Sequence, residues 1–281
     1  NMFIFNLIIK HYYSLFEYLN KDDRDTDILG EISMKITDLK PRVVAVYAGR
    51  FHPFHHGHAG VFQELASKFG IDNTYITTSG KVEPETSPFS FAEKELMMQA
   101  AGVPAGHVVE ETVPYSPKNL PMKLGLDPSR DVLVFGVGQK DMATDPRFSF
   151  TPLKDGTPSY MQPLPADLKK AQPMTKHSYV TVTPTVNFKV RGKDANSASE
   201  IRKEYIAGNS ADRDAIIVDL YGEAYPEIRD LFDKKLGAVE QTQQIMKEAR
   251  AQLGTLTESV RGKLSTLLES IKNKESAVDN F

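Results

Sequence analysis

Apolar residues in the middle of the chain fall into short continuous runs that alternate with segments of helical spacing. Residues 43–47 form a continuous run rich in β-branched side chains, which is typical of a strand buried on both faces. A glycine- and histidine-rich turn follows, and then a predicted helix that ends at Gly70. The apolar positions of that helix recur at helical spacing, at Val61, Phe62, Leu65 and Phe69.

Further strands are predicted over residues 73–78, 108–109, 132–136 and 179–182, and a second helix over residues 90–101, which Ser90 can cap. Alternating strands and helices imply right-handed crossovers and a parallel sheet. The pattern therefore predicts an α/β domain with a doubly wound parallel sheet over residues 41–222. Ligands are expected beyond the carboxyl ends of its strands.

The two flanking segments differ from this middle zone. Residues 1–40 are aromatic-rich at first and then charged over residues 21–25. We interpret them as an N-terminal extension, in which a short helix packs on its own protein and a solvated linker follows. A partner protein or a membrane surface is the alternative docking site for that helix.

The C-terminal segment, residues 223–281, is helical in pattern from Pro226 onward. Its apolar stripe repeats every 11 residues, which predicts a nearly straight or slightly right-handed seam. The stripe consists of Ala249, Leu253, Leu256, Val260, Leu264, Leu267 and Ile271. It can pack on the domain or on a second copy of the chain, and its narrowness favours a homo-oligomer.

Composition narrows the class of protein. Of the 281 residues, 40% are hydrophobic and 25% are charged, as in a soluble globular protein with a substantial core. The absence of cysteine excludes thiolate nucleophiles, zinc knuckles and iron–sulfur clusters. A net charge of −3 argues against nucleic acid as a partner. No apolar run is long enough to span a bilayer, and residues 3–9 make a poor signal peptide, so we expect a cytoplasmic location.

Four of the seven histidines lie between positions 52 and 58. A metal site with His55 and His58 as ligands is one interpretation, but the turn contains no carboxylate. The turn opens a helix, whose free N–H groups and positive end attract phosphate. His55 and His58 can face one phosphate, Gly49 allows close backbone approach, and Gly57 leaves room between the imidazoles. Phosphate-binding histidines are therefore the favoured interpretation, and no protein-held metal is expected.

This histidine segment resembles the signature of the HxGH nucleotidyltransferases, which include adenylyl- and cytidylyltransferases and share their α/β core with class I aminoacyl-tRNA synthetases. The matching residues are Gly49, Arg50, Phe51, Pro53, Phe54, His55, Gly57 and His58. This version of the motif is most similar to archaeal-type nicotinamide mononucleotide adenylyltransferases. Marine phage genomes carry nucleotidyltransferase-like proteins of this general kind. The resemblance implies a Rossmann-like HUP nucleotidyltransferase core.

Three further segments extend the resemblance. Residues 196–202 resemble the late motif that grips the β- and γ-phosphates, which implies roles for Ser197, Ser199 and Arg202. Residues 135–141 resemble the stretch that holds the ribose and base, and the implied residues are Gly136, Gly138, Lys140 and Asp141. Related enzymes contact the acceptor's phosphate near residues 79–81, so Lys81 is either a ligand or a solvated lysine. Residues 88–94 resemble the entry to the family's second helix.

The reaction implied by the resemblance is attack of an acceptor phosphate oxygen on the α-phosphorus of a nucleoside triphosphate, with release of pyrophosphate. His55 and His58 are assigned to the α- and β-phosphates, the backbone at Phe51 to the α-phosphate, and Arg202 to pyrophosphate. Mg²⁺ is expected to arrive with the nucleotide. ATP with nicotinamide or nicotinate mononucleotide is the favoured pair. CTP with a phosphorylated alcohol, and ATP with phosphopantetheine or a sugar phosphate, stay open.

Two rival functions remain at this point. A class I aminoacyl-tRNA synthetase needs a tRNA-binding domain and a lysine-rich second signature, and the sequence contains neither. A non-catalytic nucleotide-binding or assembly protein could keep the fold and use both flanking segments for assembly. The proline-rich stretch over residues 142–177 could cover the site or bind a partner.

Overall fold

The computed structural model describes residues 40–144, 148–184, 186, 188–194, 197–254 and 258–278. The N-terminal extension predicted over residues 1–40 lies outside these residues, except for Lys40. The helices, in chain order, are α1 (His56–Phe69), α2 (Phe91–Ala100), α3 (Leu120–Leu124), α4 (Gln139–Thr144), α5 (Ala198–Ala207), α6 (Ser210–Tyr221), α7 (Pro226–Gly254) and α8 (Glu258–Val278).

The strands form a six-stranded sheet and a small hairpin. The sheet contains β1 (Val43–Ala48), β2 (Thr74–Thr78), β3 (Val108–Glu110), β4 (Val132–Gly138), β5 (Met161–Pro163) and β6 (Ser178–Thr183). The hairpin pairs β7 (Lys189–Val190) with β8 (Lys193–Asp194).

The order of strands in the sheet is β3-β2-β1-β4-β6-β5, and every neighbouring pair is parallel. From β1 the chain builds outward through β2 and β3, then returns to the other side of β1 with β4. The strand order therefore reverses between β1 and β4, which is where a doubly wound sheet opens a crevice for ligands. The predicted α/β class and the doubly wound parallel sheet are confirmed.

The central strand β1 is buried on both faces, as its apolar run predicts. Ala45 and Tyr47 belong to one hydrophobic cluster, and Val44 and Val46 belong to the cluster on the opposite face. Because successive side chains of a strand point to opposite faces, a continuous apolar run fits a sheet that is covered on both sides.

The predicted helices are also present. Helix α1 buries its predicted apolar positions and ends at Gly70, which has a φ of 87°. Helix α2 begins after Ser90, whose hydroxyl accepts the N–H of Glu93 while the Glu93 carboxylate accepts the N–H of Ser90. This reciprocal capping box satisfies two N–H groups that the helix itself leaves free.

Helix α7 begins at Pro226, where the helical pattern starts in the sequence. Its first turns bury Ile228, Phe232 and Leu236 in the same cluster as α1, and it contacts α2, α5 and α6. The beginning of the predicted tail therefore contributes to the core. Farther along, Val260, Leu267 and Ile271 of the predicted seam are exposed on α8. Leu256 and the side chain of Leu253 lie outside the described residues.

The proline-rich stretch over residues 142–177 contributes the edge strand β5 and places Phe148 and Met174 in the core. Among the described residues, no helix is both long and apolar enough to cross a membrane.

Candidate active site

The histidine turn connects the end of β1 to the start of α1, beside the crevice at the strand-order reversal. His55 is the N-cap residue of α1, and its carbonyl accepts the N–H groups of His58 and Ala59 at 2.8 and 3.0 Å. The first N–H groups of a helix have no partner within the helix and carry the positive end of its dipole. The first turn of α1 is therefore suited to bind an anion.

The two motif imidazoles form a stack at this helix end. The ring centroids of His55 and His58 are 3.7 Å apart, and Phe188 stacks on the other face of His55 at 4.1 Å. His58 also contacts Phe51 at 5.0 Å and Phe54 at 5.3 Å. Within the described part of the chain, the buried Nδ1 atoms of both histidines have no hydrogen-bond partner. These two nitrogens therefore have hydrogen-bonding capacity that the described residues do not use.

Burial determines the charge of the imidazoles. It lowers the pKa of His58 from 6.5 to about 3, and it holds the pKa of His55 well below its ordinary value, with the neighbouring His58 as a second cause. Both rings are neutral near pH 7 in the free protein. Each can donate one N–H to a phosphate oxygen, or take up a proton when phosphate charge is placed beside it.

The late motif reaches the histidine turn through Arg202 on α5. Its guanidinium donates to the carbonyl oxygens of His52 and Glu85, at 2.5 and 3.3 Å. Ser197 caps α5 by accepting the N–H of Glu200 at 3.2 Å, and its hydroxyl lies 3.0 Å from that of Ser199. Two motifs that lie 150 residues apart along the chain therefore meet at one turn.

Arg50 and Lys94 extend this positive region. Lys94 is fully buried on α2 and donates to the Ser79 carbonyl at 2.5 Å and to the Thr78 hydroxyl at 3.3 Å. Burial lowers its pKa to about 8, with Arg50 acting in the same direction and Glu110 opposing it. Burial and the nearby Arg50 also lower the pKa of Arg202.

None of these three cations forms an ion pair with a carboxylate of the described residues. Other described arginines do so, among them Arg130, Arg191, Arg213 and Arg229. Glu110 acts on Lys94 and Glu83 on Arg50 only from a distance, and cations that lack a carboxylate in direct contact favour an anionic ligand. The cluster of Arg50, Lys94 and Arg202 is therefore a candidate anion site beside the histidine stack.

His52 lies next to this cluster. Its side chain is 4% exposed and stacks on Phe89 at 6.1 Å, and within the described part of the chain neither ring nitrogen has a partner. Burial, followed by the charges of Lys94, Arg202 and Arg50, lowers its pKa to about 3. The ring therefore stays neutral among cations.

A pocket of about 760 Å³ opens beyond the ends of β1, β2 and β3. Its wall combines charged side chains with hydroxyl groups and an apolar strip. The lining residues are Arg50, Ser79, Gly80, Lys81, Glu83, Ser87, Glu110, Thr112, Val113, Pro114, Tyr115 and Lys123. Because it adjoins the anion site through Arg50, it can hold the remainder of a molecule whose anionic group lies there.

Most of this site lies in a segment that matches a known protein family. A model of the cytidylyltransferase-like family matches residues 46–151. The match includes His55, His58, Arg50 and Lys94, whereas Arg202 lies beyond it. It confirms the resemblance to nucleotidyltransferases and supports nucleotidyl transfer. No curated protein is significantly similar in sequence to this chain.

Solved structures with similarity to the chain include two mononucleotide adenylyltransferases. One is a bifunctional NMN adenylyltransferase/ADP ribose pyrophosphatase from Francisella tularensis, complexed with AMP and a manganese ion, at 15% identity and a TM-score of 0.44. The alignment covers 75% of this chain and 55% of that one. The other is a Plasmodium falciparum nicotinic acid mononucleotide adenylyltransferase complexed with NaAD, at 14% identity and a TM-score of 0.39. That alignment covers 69% of this chain and 95% of the other.

Glycines of the matched segment leave space for aromatic and aliphatic side chains. A Cβ at Gly57 would lie 2.9 Å from the Phe188 ring and 3.0 Å from His55, and one at Gly49 would lie 2.4 Å from the Phe51 ring. In the buried strand β4, a Cβ at Gly136 would lie 2.4 Å from Leu65. The structure therefore gives these glycines a packing reason, and their roles in nucleotide binding stay predictions.

The remaining predicted residues are distributed around the domain. Gly138 ends β4, and Lys140 and Asp141 lie in α4, where their side chains are outside the described residues. Lys81 is 75% exposed and pairs with Glu83 at 2.5 Å at the edge of the pocket. Asn196 of the late motif lies outside the described residues.

Sequence reasoning missed three members of the site. Lys94 was noted only as part of a motif, although a charged residue at a core-facing helix position is a usable signal. His52 occupies a position of the turn for which the motif specifies no residue. Phe188 lies in a loop, and only its contact with His55 reveals its place.

The described residues contain no group of three or more His, Asp or Glu side chains that could hold a metal ion. The magnesium ion expected to arrive with the nucleotide stays a prediction.

Proposed function

We propose that this protein transfers a nucleoside monophosphate, most simply AMP from ATP, to a phosphorylated acceptor such as nicotinamide mononucleotide, with release of pyrophosphate. The observation that carries the proposal is the meeting of Arg202 with the turn that presents His55 and His58. The family match supports the reaction class.

The proposed nucleotide position is over the first turn of α1. There the backbone N–H groups and the imidazole N–H groups of His55 and His58 donate to the α- and β-phosphate oxygens. The rings are held in place by stacking on each other and on Phe188. Donors fixed before the reaction stabilise the charge that develops on the transferred phosphoryl group without reorganisation.

The proposed acceptor phosphate lies at Arg50 and Lys94. A phosphate monoester is already largely ionised near neutral pH, so its oxygen needs no strong general base. The cations lower the repulsion between two anions that must meet in line, and positioning supplies much of the remaining catalysis.

Arg202 is assigned to the departing pyrophosphate. In the free protein its guanidinium binds two neutral carbonyl oxygens, and exchanging these for phosphate oxygens gives stronger, charge-assisted hydrogen bonds. Magnesium bound to the nucleotide would neutralise further phosphate charge.

Pyrophosphate release tests the proposal. The purified full chain is incubated with each of four nucleoside triphosphates and a panel of phosphorylated acceptors. The panel includes nicotinamide and nicotinate mononucleotide, phosphopantetheine, a sugar phosphate and a phosphorylated alcohol. ATP with a mononucleotide is the expected productive pair. Nucleotide binding by calorimetry without pyrophosphate release for any pair would indicate a non-catalytic protein and contradict the proposal.

A further inference from the structure

Helix α5, which carries Arg202, packs chiefly on the two helices that follow it in the chain, α6 and α7. Its buried side chains, Ile201 and Tyr205, belong to the same core cluster as Phe232 of α7. All of these positions lie beyond the segment that matches the family model, residues 46–151. The position of Arg202 at the histidine turn therefore depends on contacts made by the C-terminal part of the chain.

Tyr205 joins α5 to α7 by hydrogen bonds. It lies one helical turn after Arg202, and its side chain is 1% exposed. The hydroxyl donates to the Asp233 carboxylate at 3.0 Å and accepts from the Arg229 guanidinium at 2.8 Å. Arg229 and Asp233 also form an ion pair with each other on α7. Burial acts against the charge of Asp233, but hydrogen bonds from Arg229 and Tyr205 hold its pKa below the ordinary value, so the carboxylate stays ionised near pH 7.

Arg213 of α6 connects the same carboxylate to the end of α5. Its guanidinium pairs with Asp233 at 3.2 Å. It also donates to three carbonyl oxygens at the end of α5, at 3.0 to 3.1 Å, those of Tyr205, Ile206 and Gly208. The last carbonyl groups of a helix have no partner within the helix, and a cation beside them is favourable. Asp233 thus anchors both the buried ring and the C-terminal end of α5.

The same helix α7 also holds α2, which carries the buried lysine of the candidate anion site. Phe232 is fully buried and contacts the rings of Tyr205 on α5 and Phe89 just before α2, with both centroid separations at 5.1 Å. Lys235 pairs with Glu93 of α2 at 3.1 Å. Adjacent turns of α7 therefore contact the two helices whose cations belong to the candidate anion site.

We propose that the beginning of α7, residues 226–236, positions Arg202 for the triphosphate, and that Asp233 is the central positioning residue. To bind pyrophosphate, Arg202 exchanges two carbonyl oxygens for phosphate oxygens, while the helix that carries it stays anchored one turn away. Anchoring restricts the guanidinium to a narrow range of positions, which lowers the cost of ordering it on the phosphates. This inference rests on the proposed function, which assigns Arg202 to pyrophosphate. It extends the catalytic unit to residue 236, beyond residue 222, where the sequence pattern ends the domain.

Pyrophosphate binding reports on Arg202. The affinity of magnesium pyrophosphate for the full chain is measured by calorimetry in the unchanged protein and in variants. Arg202→Ala should weaken binding by about tenfold or more, because it removes charge-assisted hydrogen bonds. Asp233→Asn keeps the shape of a side chain that is 41% exposed and removes its charge, and it should weaken binding by about fivefold. Asp230→Asn, on an exposed carboxylate of the same helix outside this network, should change the affinity by less than about twofold.

A double variant distinguishes positioning from a general loss of stability. If Asp233 acts through Arg202, adding Asp233→Asn to Arg202→Ala should weaken binding by less than about twofold further, because no guanidinium is left to position. Independent effects would multiply. Tyr205→Phe keeps the buried ring and removes only the hydroxyl, so it should weaken binding by about threefold even if Asp233→Asn does not fold.

The proposal is overturned if Tyr205→Phe and a folded Asp233→Asn protein bind pyrophosphate as tightly as the unchanged chain, whatever their free energy of unfolding. It is also overturned if the effects of Arg202→Ala and Asp233→Asn multiply, or if the unchanged chain binds no pyrophosphate. Pyrophosphate release from ATP and nicotinamide mononucleotide is measured in parallel. Turnover with an unchanged KM for ATP in Asp233→Asn would leave nucleotidyl transfer standing without the positioning role. Binding that depends on Asp233 through Arg202, without any turnover, would contradict nucleotidyl transfer and support the positioning role.

Discussion

Replacing His58 separates its chemical role from its packing role. The His58 ring touches the rings of Phe51, Phe54 and His55, with centroid separations of 5.0, 5.3 and 3.7 Å. His58→Ala removes both this packing and the N–H donor, whereas His58→Phe keeps an aromatic ring and removes only the polar nitrogens. The two variants should therefore share a catalytic defect and differ in stability.

The size of each effect follows from the surroundings of the ring. Loss of one fixed donor to a transition-state charge costs about 100-fold or more in kcat, which corresponds to roughly 2.7 kcal/mol. Truncation to Ala leaves a cavity, which costs about 2–4 kcal/mol of unfolding free energy. It also removes a buried Nδ1 atom without a described partner, which returns roughly 1–3 kcal/mol. His58→Phe also removes the unpartnered Nδ1 atom, but it leaves no cavity, so only the stabilising effect is expected.

The assay combines kinetics with unfolding. Pyrophosphate release at saturating substrates gives kcat, and urea unfolding monitored by circular dichroism gives the free energy of unfolding. We expect both variants to lose at least about 100-fold in kcat, while His58→Phe is at least as stable as the unchanged protein. A folded His58→Phe protein that retains a rate within about threefold of the original would refute a donor role for His58.

Three further outcomes are expected. Arg202→Ala should raise KM for the triphosphate and lower kcat in pyrophosphate assays, whereas Lys203→Ala, about 100° around the helix, should change neither comparably. The free energy of unfolding should decrease as pH falls from 6.5 towards 3, by up to about 1.4 kcal/mol per pH unit for each buried histidine that stays neutral in the folded protein. In urea titrations at several pH values, His52→Gln should show a smaller decrease per pH unit. Truncation after Gly237 should keep nucleotidyl transfer and lower the mass measured by light scattering, because the α7 residues buried in the core precede the cut and the predicted seam follows it.

Each of these outcomes can fail in a distinct way. Equal effects of Arg202→Ala and Lys203→Ala would indicate general surface charge rather than a specific phosphate contact. The expected pH dependence arises because the unfolded chain binds protons below pH 6.5 while the folded His52 imidazole does not. An unchanged slope in His52→Gln would contradict this cause. Unchanged mass after truncation, with lower thermal stability, would place the seam on the domain instead of on a second copy. If neither changes, the tail serves another partner.

Local sequence determined the main strands and helices and the turn that presents His55 and His58. The apolar run of β1 and the spacing in α1 depend on neighbours within a few residues, and both are present as predicted. The turn that presents His55 and His58 is contiguous with the helix it opens, so its anion-binding character is readable without tertiary contacts. The doubly wound sheet followed from strand–helix alternation and right-handed crossovers.

Only the tertiary structure decided which distant groups complete the site. The strand order brings the ends of β1, β2 and β3 to one edge, and that arrangement makes Arg50 and Glu110 parts of one pocket. Arg202 meets the histidine turn, Lys94 is buried beneath the strand ends, and Phe188 covers His55. Hydrophobic periodicity specifies which face of an element is buried, but it carries no information about which element packs against it. Those contacts depend on sheet order and on loops between elements, so they become visible only in the folded chain.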